Sequence, residues 1–332
     1  MTRGHYKKNT VLVTGAAGYI GSALLPVLVR QGYRVRAADA LFYGNVGLRP
    51  LLHEIEFLKG DIREKAFCEK IMSGVQYVVH LAAITLAGKT YPPEETFAIN
   101  AEGTKTLAHA AKRSGAEKFI FASSCSVYHR NPPYGKLMTE EDLLDPLGPY
   151  SRSKVTAEEE LLRLADSSFC PVIFRMGTVF GVSPRMRYDL EMNGYCRDVF
   201  MKGEITVPDG DIHRPFLDIQ DVVSIHGKAL QESHRAGVYS VPGWNFVLKD
   251  VAKDIVAINK EMFGKDAHIE FEHPEVTRNY EVSDEKVKRD FGFAPQRSSR
   301  AVIQEILSDL SKRSNPYDSI YDNLEVFSTA RT

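Results

Sequence analysis

The chain has 332 residues, of which 43% are hydrophobic and 26% are charged, and its formal net charge is −1. This composition is typical of a globular protein with a substantial core; it gives no electrostatic reason to expect a nucleic-acid or membrane partner, and four scattered cysteines indicate neither a disulfide framework nor a metal site. No apolar run is long enough for a membrane span and the N-terminal residues lack a signal-peptide pattern, so we expect a cytoplasmic protein.

Strand-like and helix-like segments alternate through the first half of the chain. Strands are predicted at residues 10–14, 33–38, 55–58, 76–80, 118–123 and 171–175. Helices are predicted at residues 19–30 and 96–114 and around Tyr150. Apolar strands that alternate with amphipathic helices form a parallel sheet covered on both faces. The predicted fold class is therefore α/β, with a Rossmann-type doubly wound parallel sheet.

A glycine-rich turn joins the first predicted strand to the first predicted helix. Gly15 permits a sharp turn and Gly18 permits the close approach of a diphosphate. Gly21 lets the helix pack on the sheet while its N-terminus faces the anion. The neighbouring Tyr19 and Ile20 are assigned to the same site. Such a turn can be purely structural, but the strand–turn–helix context favours dinucleotide binding.

Residues after the next three strands extend this nucleotide site. Asp39 ends the second strand, where a carboxylate accepts hydrogen bonds from ribose hydroxyls and repels a 2′-phosphate, which favours NAD over NADP. A solvated carboxylate at the strand end is the alternative. Two later segments are assigned to the cofactor, the adenine-side Asp61 and Ile62 and the small-residue segment Leu81, Ala82 and Ala83.

Tyr150 and Lys154 are four residues apart on a predicted helix and therefore share one helix face. A free tyrosine has a pKa near 10, so a tyrosine base needs its pKa lowered by about three units, or about 4 kcal/mol. A neighbouring ammonium group and a positive nicotinamide ring perturb the pKa in that direction. The pair is a solvated helix contact in the alternative interpretation, but the preceding nucleotide site favours a catalytic one.

After residue 181 the pattern loosens into short strands, helices and turns. We predict a nucleotide-binding Rossmann domain over residues 8–180, to which 213–242 returns. Residues 181–212 and 243–314 are predicted to form a smaller C-terminal α/β substrate-binding lobe, and 315–332 a polar C-terminal tail.

These motifs together resemble the extended short-chain dehydrogenases/reductases of the NAD-dependent epimerase/dehydratase family, which act on nucleotide sugars. The match runs from about residue 10 to 310 and also includes Asn100 before Gly103 and Thr104, Ser123 to Tyr128, Phe174 to Gly181, Arg214 ahead of Asp221, and Arg278. The resemblance is to UDP-glucose 4-epimerase-like and GDP-heptose-modifying members. It implies NAD as the cofactor and a nucleoside-diphosphate sugar as the substrate.

The resemblance assigns a catalytic role to three side chains. Tyr150 is implied to be the base and acid, and Lys154 the cation that lowers its pKa and binds the nicotinamide ribose. Ser124 is the third member, within a proton path between the sugar and the phenol. Ser123 is implied to contact the cofactor, and Asn100 to order backbone or water behind the site.

One departure from the family pattern narrows the reaction. The 4,6-dehydratases of the family carry an Asp-Glu pair directly after the catalytic hydroxyl, whereas this chain has Cys125 and Ser126 there. Neither residue replaces a carboxylate acid and base. Dehydration by the usual route is therefore disfavoured, Ser126 is assigned to the substrate, and Cys125 is expected to be a packed thiol.

Several residues of the later part of the chain are assigned to the substrate by the same resemblance. Asn193, Arg214 and Arg278 are assigned to the diphosphate of the substrate. Val207 is assigned to the substrate's base and Thr178 to its sugar. Arg185 and Arg187 lie in a segment that resembles GDP-heptose-modifying members; they either add positive charge beside the diphosphate or contact a larger or charged sugar.

The leading hypothesis is an NAD-dependent nucleotide-sugar epimerase that oxidises C4 transiently, lets the ketosugar rotate and reduces it on the other face. The first alternative is a 4-dehydrogenase or 4-ketosugar reductase on a similar hexose or heptose substrate. A 4,6-dehydratase and a redox-sensing regulator are less favoured. The predicted helices at 96–114 and around Tyr150 resemble the pair that forms the dimer interface in this family, so we expect a homodimer.

Overall fold

The structure is a computed structural model, and it describes residues 9–85, 92–128, 135–232, 235–272 and 279–323. The strands are β1 (Thr10–Thr14), β2 (Arg34–Asp39), β3 (Glu56–Lys59), β4 (Tyr77–His80), β5 (Lys118–Ser124), β6 (Leu137–Met138), β7 (Cys170–Met176), β8 (Thr178–Phe180), β9 (Glu204–Pro208), β10 (His213–Asp218), β11 (Gly237–Val241), β12 (Trp244–Val247), β13 (His268–Glu272) and β14 (Glu281–Val282). The α-helices are α1 (Tyr19–Arg30), α2 (Lys65–Met72), α3 (Pro93–Phe97), α4 (Gly103–Arg113), α5 (Gly148–Leu164), α6 (Glu191–Lys202), α7 (Ile219–Gln231), α8 (Leu248–Phe263), α9 (Glu285–Phe291) and α10 (Ser299–Leu310).

Seven strands form one parallel sheet in the order β11-β7-β5-β4-β1-β2-β3. From β1 the chain proceeds outward through β2 and β3 and then returns to the other side of β1 through β4 and β5. This reversal opens a crevice at the carboxyl ends of β1 and β4, where open α/β sheets bind ligands. The predicted doubly wound α/β fold is confirmed.

The sheet is covered on both faces because successive side chains of a strand point in opposite directions. Val11 and Val13 of β1 belong to an apolar cluster with α1 and α7 on one face. Leu12, between them, belongs to a second cluster with α2, α4 and α5 on the other face. Burial on both faces explains why these strands are uninterrupted apolar runs in the sequence.

Several of the remaining elements build a smaller layer beside the carboxyl ends of the sheet, whereas α9 packs against the main sheet with α7 and β11. Strands β8, β10 and β12 form one small sheet and β9 pairs with β13. Helices α6, α8 and α10 pack with these strands around a third apolar cluster. Within segment 213–242, α7 and β11 join the layers of the main sheet, whereas β10 pairs with β8 and β12.

The helix expected at 96–114 differs from the prediction. The chain is helical from Pro93 to Arg113, but residues Ala98–Glu102 form a π-helical turn between α3 and α4. A π-helical turn is wider than an α-helical one because its hydrogen bonds join residues five apart instead of four. Such single turns are frequent at functional sites. Among the described helices, none is long and apolar enough to cross a bilayer.

Candidate active site

A cleft of about 410 Å³ opens at the carboxyl ends of the main-sheet strands, facing the second lobe. The residues assigned to the cofactor that line this cleft are Gly15, Gly18, Tyr19, Ile20, Gly21, Asp39, Asp61, Ile62, Leu81, Ala82, Ala83, Ser123 and Tyr150. The residues assigned to the substrate that line it are Ser124, Ser126, Thr178, Arg185 and Arg187. Residues that are far apart in sequence thus meet at one crevice.

The glycine-rich turn has the shape that a diphosphate requires. Gly15 has a φ of +67°, and a Cβ there would lie 2.6 Å from the backbone N of Ala82. A Cβ at Gly21 would lie 2.3 Å from the carbonyl oxygen of Gly15, so α1 can approach the turn only with glycine there. A Cβ at Gly18 would meet only that same oxygen, at 3.1 Å, and otherwise project into open space. The backbone is therefore accessible at the N-terminus of α1, which fits a bound anion.

Asp39 is held at the end of β2 by backbone donors. Its Oδ2 accepts a hydrogen bond from the N–H of Ala17 (2.9 Å) in the glycine-rich turn, and its Oδ1 accepts one from the N–H of Leu41 (2.7 Å). Burial raises the pKa of the Asp39 carboxyl, and the two N–H groups act against that shift. Each oxygen keeps a further lone pair for a ribose hydroxyl.

Asp61 bonds to its own loop. Burial raises its pKa, but the hydrogen bonds and charge of Arg63 outweigh burial, so the net pKa is lowered. The Nη2 of Arg63 donates to Oδ2 of Asp61 at 2.6 Å.

Tyr150 and Lys154 lie one turn apart on α5. The Nζ of Lys154 is 5.6 Å from the ring centre of Tyr150 and donates to the carbonyl oxygen of Ala122 (2.7 Å) near the end of β5. Burial lowers the pKa of Lys154 to about 7, and the charge of Glu158 acts in the opposite direction. The ammonium group is thus fixed behind the cleft wall, next to the phenol.

Three hydroxyl groups cluster beside Tyr150 at the end of β5. Ser124 donates to the Oγ of Ser126 (2.9 Å) and accepts from its N–H (3.1 Å), and Ser151 donates to the same Ser126 Oγ (3.0 Å). Ser123, the next residue back along the strand, instead donates to Glu158. Cys125 is buried against the carbonyl oxygen of Arg175, and burial raises the pKa of its thiol. This thiol is packed, as expected.

A buried chain of side chains behind the cleft was not predicted. Thr104 donates to the carbonyl oxygen of Asn100 (2.6 Å), so it accepts from the Nε2–H of His80 (2.8 Å). The Nδ1 of His80 then accepts from the hydroxyl of Thr14 (2.6 Å). Burial and the charge of Lys154 lower the pKa of His80 to about 3, which keeps the ring neutral. The sequence signal for this hydrogen-bonded network is that Thr14 and His80 are polar residues that each end an apolar strand.

Asn100 occupies the π-helical turn and joins the cleft wall to the helix of Tyr150. Its Oδ1 accepts from the N–H of Ile84 (2.8 Å), and its Nδ2 donates to the carbonyl oxygen of Ile84 (2.8 Å) and to Ser153 (3.2 Å). Ser153 in turn donates to the carbonyl oxygen of Tyr150 (2.7 Å). Asn100 therefore orders backbone, and no bond places it on the cofactor side of the wall.

The structure does not bring every residue assigned to the substrate to the cleft. Asn193 is fully buried: its Oδ1 accepts from the N–H of Gly181 (3.0 Å), and its Nδ2 donates to the hydroxyl of Tyr19 (3.1 Å) and the carbonyl oxygen of Arg187 (2.9 Å). Both of its N–H groups are therefore used within the protein, so a diphosphate bond from Asn193 requires one of these bonds to break.

Val207 and Arg214 are not among the described residues that line the cleft. Val207 is 0% exposed, inside the apolar cluster of the second lobe. Arg214 lies on β10, where its charge acts on half-buried Glu191. Arg278 lies outside the described residues. The two other arginines differ in their bonds. Arg187 binds Asp189 and Thr85, whereas two nitrogens of Arg185 have no partner among the described residues.

The C-terminal segment also contributes to the cleft. The carbonyl oxygen of Tyr321 accepts from the N–H of Tyr188 (2.9 Å), which docks this segment on the second lobe. Asn323, two residues later, is 4% exposed and lines the cleft. The polar composition of this segment gave no sign of a role in the site.

The chain is similar to a known protein family and to several curated proteins. The model of the NAD dependent epimerase/dehydratase family matches residues 11–241. The putative UDP-arabinose 4-epimerase 4 of Arabidopsis thaliana is 30% identical over 263 residues, covering 70% of this chain and 60% of that protein. The UDP-glucose 4-epimerase of Neisseria meningitidis serogroup C is 27% identical over 258 residues, covering 69% and 75%. The chain thus spans about 60% of the length of the plant relative.

Among solved structures, UDP-glucuronic acid 4-epimerase from Bacillus cereus in complex with NAD has a TM-score of 0.79 and 25% identity. The similarity covers 91% of this chain and 99% of that one. MoeE5 in complex with UDP-glucose and NAD has a TM-score of 0.78 and 25% identity, covering 92% and 99%.

Proposed function

The chain belongs to the NAD-dependent epimerase/dehydratase family, and we propose that it interconverts the C4 epimers of a UDP-sugar. The observation that carries this proposal is the position of Tyr150, which lines the same cleft as the glycine-rich turn and has the ammonium group of Lys154 behind it. The relatives named UDP-arabinose and UDP-glucose 4-epimerases support both the reaction and the nucleotide.

The cofactor of this family is NAD, and the residues of the cleft fit it. Gly15, Gly18 and Gly21 leave the backbone open to the diphosphate, and Asp39 keeps lone pairs for the adenosine ribose. When bound, NAD supplies the acceptor for the C4 hydrogen during oxidation of the sugar and the donor during its reduction.

The protein's own side chains would move the proton. Tyr150, as the phenolate, accepts the proton of the C4 hydroxyl while C4 becomes a ketone, and it returns a proton to the C4 oxygen when the ketone is reduced. Ser124 and Ser126 are hydrogen-bonded beside it and can hold the sugar oxygen during both steps. Inversion requires that the ketosugar turn over in the cleft between the two steps.

Dehydration is disfavoured by the same geometry. The residue after Ser124 is Cys125, whose thiol is buried against Arg175 and has a raised pKa. A thiol with a raised pKa in an apolar site is a poor general base near neutral pH. Neither Cys125 nor Ser126 offers the carboxylate chemistry that elimination of water requires.

The decisive experiment incubates the purified protein and NAD with UDP-arabinose, UDP-glucose or UDP-glucuronic acid, the sugars named by the relatives and neighbours. Proton NMR should detect the 4-epimer of at least one, while the absorbance of reduced nicotinamide stays constant overall. Tyr150→Phe should remove epimer formation and leave NAD binding intact. Stoichiometric accumulation of reduced nicotinamide would instead identify a 4-dehydrogenase, and turnover only of GDP-sugars would contradict the nucleotide.

We also propose a homodimer formed through the outward faces of α4 and α5, which pack side by side on the sheet. Leu162 of α5 is 43% exposed there, a large apolar side chain on the surface. Sedimentation velocity should show a dimer for the wild type and a monomer for Leu162→Asp. Leu143→Asp, at an exposed position outside these helices, should remain dimeric. A monomeric wild type would contradict the proposal.

A further inference from the structure

Arg185 is a buried cation whose side chain is incompletely bonded. It is 3% exposed and lines the cleft. Within the part of the chain that the structure describes, its Nε and Nη2 have no hydrogen-bond partner. Its guanidinium group stacks over the ring of Tyr43, with its central carbon 4.8 Å from the ring centre. Buried guanidinium donors are normally bonded, so the unbonded Nε and Nη2 point to a partner that the described residues do not supply.

The backbone around Arg185 is fixed to the first turn of α1. The N–H of Arg185 donates to the Oγ of Ser22 (3.2 Å), and Ser183 donates to the carbonyl oxygen of Tyr19 (2.7 Å). The hydroxyl of Tyr19 donates to the carbonyl oxygen of Gly181 (2.5 Å). These bonds place a segment of the second lobe against the helix N-terminus that faces the cleft.

The loop after β2 closes the other side of Arg185. A Cβ on Gly47 would lie 2.5 Å from the Cβ of Ser22 and 3.1 Å from the Cβ of Arg185, so glycine is needed for the loop to pack there. Tyr43 of the same loop supplies the stacking ring. Ser22, Tyr43 and Gly47, all of the nucleotide-binding part of the chain, therefore pack directly around Arg185.

Arg187 has a different environment, although it is only two residues away. Its side chain is bonded to Asp189 and donates to the hydroxyl of Thr85 (3.2 Å), beyond the small-residue segment after β4. Burial and the charge of Arg187 lower the pKa of Arg185 to about 10, with Asp189, Tyr43 and Asp322 acting against this shift. Arg185 remains charged at neutral pH. Its charge also acts on Asp39, but no described carboxylate bonds to its Nε or Nη2.

We propose that Arg185 binds the diphosphate of the dinucleotide cofactor, so that a cation from the second lobe completes the anion site at the N-terminus of α1. The assignment rests on the proposed function for the identity of the dinucleotide, and it moves Arg185 from the substrate, its diphosphate or its sugar, to the cofactor. A guanidinium bond to the diphosphate joins the two lobes through the cofactor. This bond retains the cofactor between oxidation and reduction of the sugar, as an epimerase requires.

The test measures binding by calorimetry with apoprotein, using NAD+, ADP-ribose, adenosine and UDP as separate probes. Arg185→Met keeps the packing on Tyr43 and removes the charge. It should weaken NAD+ and ADP-ribose by about tenfold or more, the effect of losing a charged hydrogen bond. Adenosine and UDP should bind unchanged, and the purified variant should contain less NAD.

Two further variants complete the design. Arg185→Lys should bind ADP-ribose more weakly than the wild type does, by a smaller factor than Arg185→Met, and should bind adenosine unchanged, so it carries the test if the Met variant does not fold. Arg197→Met is the matched control, because Arg197 also stacks on a tyrosine, Tyr317, at 4.6 Å but does not line the cleft. It should leave all four affinities unchanged.

The outcomes separate this inference from the proposed function. Weaker binding of UDP with unchanged binding of ADP-ribose in the Arg185 variants would assign Arg185 to the substrate and overturn the inference. Unchanged affinity for every probe would also overturn it. A wild type that binds ADP-ribose through Arg185 but epimerises no UDP-sugar would keep the inference and reject the proposed reaction.

Discussion

Arg175 and Glu158 form an ion pair inside the protein, with side chains 6% and 3% exposed. The Nε and Nη2 of Arg175 donate to the carboxylate at 2.7 to 3.2 Å. Glu158 lies one turn beyond Lys154 on α5 and also accepts from Ser123. The pair therefore links β5, β7 and α5 next to Lys154, on the helix that carries Tyr150.

Removing the charge of Glu158 should change the pH profile of the enzyme. Burial lowers the pKa of Lys154 to about 7, and the carboxylate of Glu158 raises it. Glu158→Gln removes the raising effect, so Lys154 should lose its proton at a lower pH. The alkaline limb of the kcat profile should move to lower pH, as measured with a 4-epimerisable UDP-sugar.

The same substitution should also destabilise the fold. It leaves Arg175 as an uncompensated buried charge, which costs about 3 kcal/mol. Urea unfolding measures this loss. Glu159→Gln, at the exposed neighbour on α5, is the control. It should change neither the alkaline limb of the kcat profile nor the free energy of unfolding. An unshifted alkaline limb in Glu158→Gln would mean that the Glu158 carboxylate does not raise the pKa of Lys154.

Asp39 should control both cofactor affinity and cofactor choice. In Asp39→Asn, the amide must present an N–H group to the N–H of either Ala17 or Leu41, which both donate to the carboxylate now. NAD+ affinity should fall by about tenfold, the equivalent of one hydrogen bond. The affinity for NADP+ should rise relative to that for NAD+, because a negative charge near the 2′-phosphate is removed.

Calorimetric titration with the two cofactors measures this change. Asp266→Asn, a carboxylate 77% exposed on the second lobe, serves as the control. If the ratio of NAD+ to NADP+ affinity stays the same in Asp39→Asn, the ribose assignment is wrong.

The parts of the site that were predictable from sequence are those encoded locally. The glycine spacing, Asp39 at a strand end and the four-residue spacing of Tyr150 and Lys154 each depend on one element. The sheet brings them together because the carboxyl ends of parallel strands share one edge.

The unpredicted parts depend on contacts between distant segments. Asn100 was expected to order backbone, but the π-helical turn that holds it was not predicted; its amide bonds there to Ile84, and a helical repeat pattern carries no sign of that partner. Arg175 ends a predicted apolar strand and would be read as solvated, yet it is buried with Glu158. Asn323 reaches the cleft only because its segment docks on the second lobe.

His80 should make the stability of the protein depend on pH. Its pKa is about 3 in the fold, lowered by burial and by Lys154, against 6.5 for an unperturbed histidine. Between these values the unfolded chain binds the proton and the folded chain does not, so stability falls as pH falls. The contribution is about 1.4 kcal/mol for each pH unit below 6.5.

Urea unfolding at several pH values from about 6.5 to 4.5 measures this slope. In His80→Gln the slope should be shallower by that amount, whereas His53→Gln, at a histidine 76% exposed, should keep the wild-type slope. Equal slopes in His80→Gln and wild type would mean that the ring is protonated within the fold.

Asn100 should support both the fold and the rate. Asn100→Ala leaves the N–H and carbonyl groups of Ile84 without their present partners in a buried place, which costs about 1 to 3 kcal/mol. It also releases Ser153, whose hydroxyl bonds to the backbone of Tyr150. The phenol should therefore be less well placed, and kcat should fall while the KM of the UDP-sugar changes little.

Asn259→Ala provides the comparison, since Asn259 is also buried but bonds within the second lobe, to the carbonyl oxygen of Lys265. It should lose stability and keep kcat; a kcat for Asn100→Ala equal to that of Asn259→Ala would reduce Asn100 to a purely structural role.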